Sequence, residues 1–380
     1  MKPPQREPGP SVLRGRRVWW AAVGSVLLAG LSACTTGQPG GRATTDSRIG
    51  VTLVTQDAEN PYDIALERGA RRAVDQYGVR LTSASGDGAE DAATQVEAVD
   101  AAVARGDRGI VIDPADGPEV ADAVTRARLA GLYVIALDAR PDPADLVDVT
   151  FASDPREAGR LLGSWAAGRL GGRSATLAML GAADPDTADA TDEPTGSGDR
   201  ERDQGFLSGM GIGVADPAVA GDESDTGSYG AGEGEGEYEI ACRSSSEGTV
   251  DGGRLAMDEC LVESDAVGVA FAADEPTALG AVAALDAAAE TDTVVVAADA
   301  SCVGVQAVQD GELGAVVQRH PADMAGLGVG AIAKIARGGV KPSTTKSLGF
   351  YDTGVELVTD RPVPGVPSTS SAQALRTCWG

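Results

Sequence analysis

The stretch from Gly109 to Asp138, GIVIDPADGPEVADAVTRARLAGLYVIALD, most constrains what this chain can fold into. A short apolar run, Gly109–Ile112, ends on Asp113, and a second, Tyr133–Leu137, ends on Asp138. Between them Val120, Val124, Ala127 and Leu129–Ala130 recur at helical spacing, with Asp122, Arg126 and Arg128 interleaved. Gly131 stands where such a helix must stop, because glycine accepts the left-handed backbone that ends a helix. A helix between two wholly apolar strands reads as a βαβ unit with parallel strands. Ligands of open parallel sheets sit in the crevice beyond the carboxyl ends of the strands. Both strands of this unit deliver a carboxylate there, which suits a polar, hydroxyl-rich ligand.

The same rhythm runs from Ile49 onward. Apolar strands are expected at Ile49–Val54, Val79–Thr82, Gly109–Ile112, Tyr133–Leu137 and Ala175–Leu180. Amphipathic helices are expected near Ala65–Tyr77, Ala89–Arg105, Pro118–Ala130 and Pro155–Leu170. The alternation resumes with a strand at Tyr238–Cys242 and a helix around Gly252–Val262, then Val267–Ala272, Pro276–Ala289, Thr293–Ala298, Val303–Gln309, Leu313–Val317 and Ala322–Arg337. Alternating strands and helices predict an α/β fold with doubly wound parallel sheets, and so many strands predict two of them. Aromatics make up only 4% of the chain, so the apolar mass is aliphatic, as parallel sheets covered by helices prefer. Two acidic stretches rich in Gly, Ser and Thr, Gly181–Asp199 and Gly221–Glu239, break the rhythm and are expected as solvated loops. Counted as an EF-hand from Asp184, the first offers Ala188, Asp189 and Thr195 at the fifth, sixth and twelfth positions, where an oxygen ligand, Gly and Glu are needed.

A net charge of −26 over 380 residues repels nucleic acid and anionic lipid, and no nucleic-acid partner is expected. The one basic cluster, Arg14, Arg16 and Arg17, precedes an apolar run, Val18–Gly30. That layout is an export signal. Leu31-Ser32-Ala33-Cys34 follows and resembles the bacterial lipobox, implying lipidation at Cys34 and an extracytoplasmic protein anchored to the outer face of the cell membrane. Residues 35–48 then read as a flexible tether. Four cysteines remain, Cys242, Cys260, Cys302 and Cys378. An even number in an exported chain points to disulfides; of three possible connectivities, Cys242–Cys260 with Cys302–Cys378 is favoured. The cysteine spacings match no zinc pattern and His320 is the only histidine, so no metal or other cofactor is expected.

Further strand ends also carry polar groups. Gln56 and Asp57 follow the first strand, Asp274-Glu275-Pro276 follows Val267–Ala273, and Asp299 follows Thr293–Ala298. A carboxylate accepts hydrogen bonds from neighbouring hydroxyls, so a ring of acids suits a sugar; each acid could equally cap the helix that follows it.

At these residues the chain resembles the ribose/fructose-type monosaccharide-binding proteins of bacterial ABC importers, which have the type I periplasmic-binding fold. The motifs are Glu59-Asn60-Pro61-Tyr62 with Glu67-Arg68-Gly69-Ala70, Ile135-Ala136-Leu137-Asp138 and Arg202-Asp203-Gln204-Gly205-Phe206. They continue with Asp274-Glu275-Pro276-Thr277-Ala278-Leu279-Gly280, Ala298-Asp299 and Val316–Pro321. The ending, from Asp352-Thr353-Gly354-Val355 to Cys378-Trp379-Gly380, is similar to the fructose-binding branch. The resemblance implies two lobes joined by a three-strand hinge, residues 49–153 plus 320–350 and residues 154–319 plus 351–380, with the ligand between them. It implies polar contacts from Asn60, Asp138, Arg202, Asp274 and Asp299, and a ring, Tyr62, stacked on the sugar. It also implies ligand contacts from Arg319, which stands where the family usually has Gln, and Asp63, where a second aromatic is common; Ala139 stands where ribose binders often have Arg. The partners implied are a monosaccharide and the permease subunits of an importer, with the protein itself a monomer. No nucleophile elbow, zinc-protease motif or phosphate-cradling loop suggests an enzyme; a sugar-sensing receptor of the same fold is the competing reading.

Overall fold

The computed structural model describes residues 48–88, 91–115, 117–181, 197–213, 226–229, 236–264, 266–290 and 292–380. The expected export signal with Cys34, the tether up to residue 47, and most of the two acidic stretches lie outside the described residues.

The first lobe opens with β1 (Ile49–Thr55), α1 (Pro61–Tyr77), β2 (Val79–Ser85), α2 (Ala92–Arg105), β3 (Gly109–Ile112), α3 (Pro118–Leu129), β4 (Tyr133–Leu137) and β5 (Val149–Ala152). The chain then crosses to build α4 (Pro155–Leu170), β6 (Ala175–Leu180), α5 (Ser197–Met210), β7 (Thr226–Tyr229), β8 (Gly236–Ser244), α6 (Val250–Glu263), β9 (Val269–Ala272), α7 (Glu275–Ala288), β10 (Val294–Ala297), α8 (Cys302–Asp310) and β11 (Ala315–Gln318). It returns for α9 (Pro321–Ala336) and β12 (Tyr351–Asp352), and ends in the second lobe with β13 (Glu356–Val358) and α10 (Ser371–Ala374). One sheet has the order β2-β1-β3-β4-β5-β12 and the other β7-β8-β6-β9-β10-β11-β13. All pairings are parallel except those of β7 and β13. The expected doubly wound architecture with two sheets is thus the observed one.

Each sheet is covered on both faces, which is why its strands read as unbroken apolar runs. In the first lobe Leu53, Val111 and Ile135 pack with Leu66 of α1 and Met324 of α9, while Val54, Ile112 and Val134 face Val124 of α3. In the second, Trp165 of α4 and Phe206 of α5 cover Leu177 and Phe271, and Met257 of α6 lies on the opposite face with Ala270 and Val295. Helices α4 and α5 approach so closely that only glycine fits at the crossing. A Cβ on Gly159 would meet the Arg202 carbonyl oxygen at 1.9 Å, and one on Gly205 the Arg156 carbonyl oxygen at 2.1 Å. Cysteines pair as Cys242–Cys260 and Cys302–Cys378, the favoured connectivity.

Three short segments pass between the lobes: Ser153–Asp154, Arg319–His320 and Thr353–Val355. The third falls later than the boundary expected after Phe350. Tyr351 and Asp352 pair with Phe151 and Ala152 in the first lobe's sheet, and the Tyr351 ring lies 4.6 Å from that of Phe151. Two crossings are bonded together, since Ser153 Oγ donates to the Gly354 carbonyl at 3.0 Å and the Thr353 amide to the Ala152 carbonyl at 2.8 Å. Within the second acidic stretch, residues 226–229 and 236–239 form an antiparallel pair at the sheet edge instead of loop. Nothing in their composition signals it, because an edge strand with one neighbour needs no apolar alternation.

Candidate functional site

The site is assembled from strand ends. In the first lobe β3 delivers Asp113 and β4 delivers Asp138, whose φ of 64° is left-handed. That backbone is strained for most side chains, though Asp tolerates it better, and it occurs here directly where the strand meets the gap between lobes. Helix α1 begins beside them. Asn60 is exposed, and its Oδ1 accepts the Tyr62 amide at 2.8 Å, so its side chain serves as the helix cap. The cap, with Pro61 in the first turn, starts the helix so that Tyr62 is buried at its second position.

Asp63 departs from the expected ligand role. It is only 4% exposed, and its Oδ2 accepts the backbone amides of Gln56 at 3.2 Å and Asp57 at 2.7 Å. Its carboxylate is committed to shaping the loop after β1, and it does not line the gap between the lobes. Burial raises its pKa, partly opposed by those two amides.

Arg319, on the second crossing, is the centre of the arrangement. Its guanidinium forms ion pairs with Asp138 of the first lobe and Asp299 of the second, and Nε donates to Asp299 Oδ1 at 3.1 Å. It also stands over the Tyr62 ring, 4.6 Å from its centroid. The ring expected to stack on a ligand therefore carries a cation on one face. Planar guanidinium forks favour such paired carboxylates, and the side chains are 15% (Arg319), 31% (Asp138) and 16% (Asp299) exposed. Burial alone would raise the Asp138 pKa, but Arg319, helped by Arg202, outweighs it and holds the carboxyl below its usual range. Burial would lower Arg319's own pKa; Asp138 and Asp299 instead raise it well above the ordinary value.

From the second lobe α5 contributes Arg202, ion-paired with Asp199 one turn before it and 16% exposed. Burial raises the Asp199 pKa against the pull of Arg202, with Asp274 adding to the rise. Asp274 itself caps α7, its Oδ1 accepting the Thr277 amide at 2.9 Å.

Between the lobes lies a cavity of about 170 Å³, lined among others by Asp138, Arg140, Ser153, Arg202, Arg319 and Phe350. Of the eight expected ligand contacts, Asp138, Arg202 and Arg319 line it. Tyr62 and Asp299 do not line it but contact Arg319, which does, whereas Asn60 and Asp274 act as helix caps. Sequence reasoning left out Arg140, which donates to Glu201 across the gap at 3.2 Å and covers the Phe350 ring. An arginine in a loop after a strand carries no signal of its own. Asp113 was visible as a strand-end acid. It is 7% exposed, and burial, then the charges of Asp138 and Asp63, raise its pKa well above the usual carboxyl range. This is a charged, two-sided gap able to hydrogen-bond a small polyhydroxylated molecule from both lobes.

Comparison with known proteins agrees with this architecture. The ribose import binding protein of Salmonella typhimurium is 26% identical over 288 residues, 76% of this chain and 85% of the relative. The D-ribose/D-allose-binding protein of Pseudomonas aeruginosa is 25% identical over 339 residues, 87% of this chain and 95% of the relative. Among solved structures, a periplasmic solute binding protein of Actinobacillus succinogenes with bound D-allose superposes with a TM-score of 0.62 at 18% identity, covering 82% of this chain and 98% of that one. The arabinose binding protein of Geobacillus stearothermophilus gives 0.64 at 15% identity, covering 82% and 97%. The family profile described as periplasmic binding protein domain matches residues 49–339. With both lobes, their crossings and the gap between them inside or contiguous with that match, the chain belongs to the periplasmic binding proteins, of the type I fold.

Proposed function

We propose that this protein captures a monosaccharide of the ribose or fructose class between its lobes and presents it to the permease subunits of an ABC importer. The protein is a binding protein and not an enzyme, as its family is. The observation that carries the sugar reading is the interlobe cavity where Asp138, Arg202 and Arg319 converge from the first lobe, the second lobe and the crossing between them. A carboxylate and two guanidinium groups offer acceptors and donors in fixed directions, the pairing that vicinal hydroxyls and a ring oxygen need. Charge-assisted bonds of about 1.5–3 kcal/mol each suffice for micromolar capture, which takes about 8 kcal/mol. Closure of the lobes on the sugar would bury it and distinguish loaded from unloaded protein. The relatives named as ribose import and D-ribose/D-allose-binding proteins support the class.

The experiment is a thermal-shift panel of ribose, allose, fructose, xylose, galactose, glucose and mannose. A sugar at a hundredfold excess over its Kd adds about 2.7 kcal/mol to stability, so its melting shift is readily seen. Arg202→Met should abolish the shift. A panel in which no sugar moves the wild-type transition would defeat the reading. Export and lipid anchoring through Cys34 belong to the same proposal. Cys34→Ser should move the protein from the membrane fraction to the soluble one, and unchanged fractionation would contradict anchoring at that cysteine.

A further inference from the structure

The C-terminal tail is anchored in the second lobe but reaches the first with one side chain. Cys378 is bonded to Cys302, the opening residue of α8, with Cα atoms 5.1 Å apart. The Cys302 amide donates to the Trp379 carbonyl at 2.7 Å. The tail is thus clamped twice to the start of one second-lobe helix. The Trp379 indole, however, packs against the apolar layer of the first lobe formed by residues such as Leu66, Phe151 and Met324. There it meets the Tyr62 ring edge to face, centroids 5.3 Å apart at 84°. Tyr62 in turn lies under the Arg319 guanidinium that joins Asp138 to Asp299.

We propose that Trp379 is a positioning residue for the interlobe site, carried across from the second lobe by the Cys302–Cys378 disulfide to set the Tyr62 ring beneath Arg319. The proposal deepens the sugar-binding reading and rests on it for one of its two measurements. Neither Trp379 nor the two cysteines line the cavity, so their influence would run through Tyr62. Aromatic pairs prefer edge-to-face contact, and a cation favours an aromatic face, so one ring can satisfy both neighbours in a single orientation. The indole Nε1 is shielded from solvent and has no hydrogen-bond partner among the described residues. What the contact uses is the ring and not its N–H, so phenylalanine should serve in its place.

Three variants of the full chain separate the possibilities: Trp379→Phe, Trp379→Ala and the double substitution Cys302→Ser/Cys378→Ser. With the sugar that shifts wild type most, Trp379→Ala and the cysteine pair should weaken Kd by about fivefold to tenfold, as loss of one aromatic pair predicts. Trp379→Phe should stay within about twofold of wild type, since the aromatic contact is kept. A role confined to folding would lower melting temperature without changing Kd, and that result overturns the proposal. So does a Trp379→Phe variant as weak as Trp379→Ala. The second measurement needs no sugar. The difference in acrylamide quenching between wild type and Trp379→Phe isolates the Trp379 indole. It should be shielded while the disulfide is present, and the cysteine pair should give faster quenching than wild type. An indole equally open in both refutes the clamp even if no sugar in the panel binds, while a shielded indole with no sugar bound points to failure of the sugar reading instead.

Discussion

The two lobes wind alike but use their strand ends differently. The first has the order β2-β1-β3-β4-β5 and the second β8-β6-β9-β10-β11, so each places its switch point toward the gap. In the first lobe Asp113 and Asp138 stand close enough for each to feel the other's charge, and the cation that pairs with Asp138 comes from a crossing, Arg319. The second lobe brings its own cation, Arg202, and turns several acids to backbone work. Asp274 caps α7, and Glu275 accepts the amides of Ser301 and Gly304 at 2.7 Å each, anchoring the start of α8. A strand-end carboxylate therefore signals a ligand only where no following helix consumes it. The first lobe relies on a cation from the crossing, whereas the second supplies its own cation and draws on the crossing only at Asp299.

That contrast can be broken most forcefully at Arg319. Arg319→Ala leaves Asp138 and Asp299 without their shared cation, and removing one member of a largely buried ion pair costs about 3–5 kcal/mol. A fall of that size in chemical denaturation, with loss of every sugar-induced shift, is expected; a variant as stable as wild type would show that the two lobes do not depend on the crossing. Next in size is Gly205→Ala. Its Cβ would lie 2.1 Å from the Arg156 carbonyl oxygen, so α5 must move and take Arg202 with it. Overpacking of this kind costs about 1–3 kcal/mol. Ser208→Ala, on the exposed side of the same helix, should change neither the melting temperature nor the affinity.

The smallest effect sharpens the comparison through pH. In the folded protein Asp113 holds its proton above the pH at which the unfolded chain releases it, because its pKa is raised by burial and by its acidic neighbours. Its contribution to stability is therefore fully present below the unfolded value of about 3.9 and is lost as pH rises through the folded one. Asp113→Asn should lessen the decline in stability on raising the pH from about 4 toward neutrality, and leave the acid side unchanged. Urea midpoints for both proteins across that range decide it; parallel curves would mean that Asp113 is not the buried acid responsible.

Much of this was legible in the chain alone. Gly109–Ile112, Tyr133–Leu137, Ala175–Leu180 and Pro155–Leu170 are read with the bounds the structure shows, because strands buried on both faces and helices with glycine stops write their periodicity locally. The short strand β5 and the edge strands β7, β12 and β13 are absent from that reading. Each is a few residues long and gains its identity from the neighbour it pairs with.

The sequence by itself determined an α/β chain with two sheets, acids and arginines at strand ends, and four cysteines able to pair beyond the expected export segment. Only the tertiary structure decided which of those acids face the gap. It turned Asp63 and Asn60 to their own loop and helix, and set Arg319 between Asp138 and Asp299, residues 181 and 20 positions away in the chain. It also carried Trp379 to Tyr62. The reason is physical: propensity and periodicity act over a turn or a strand, whereas the pairing of buried charges and rings depends on which side chains meet after both lobes have folded.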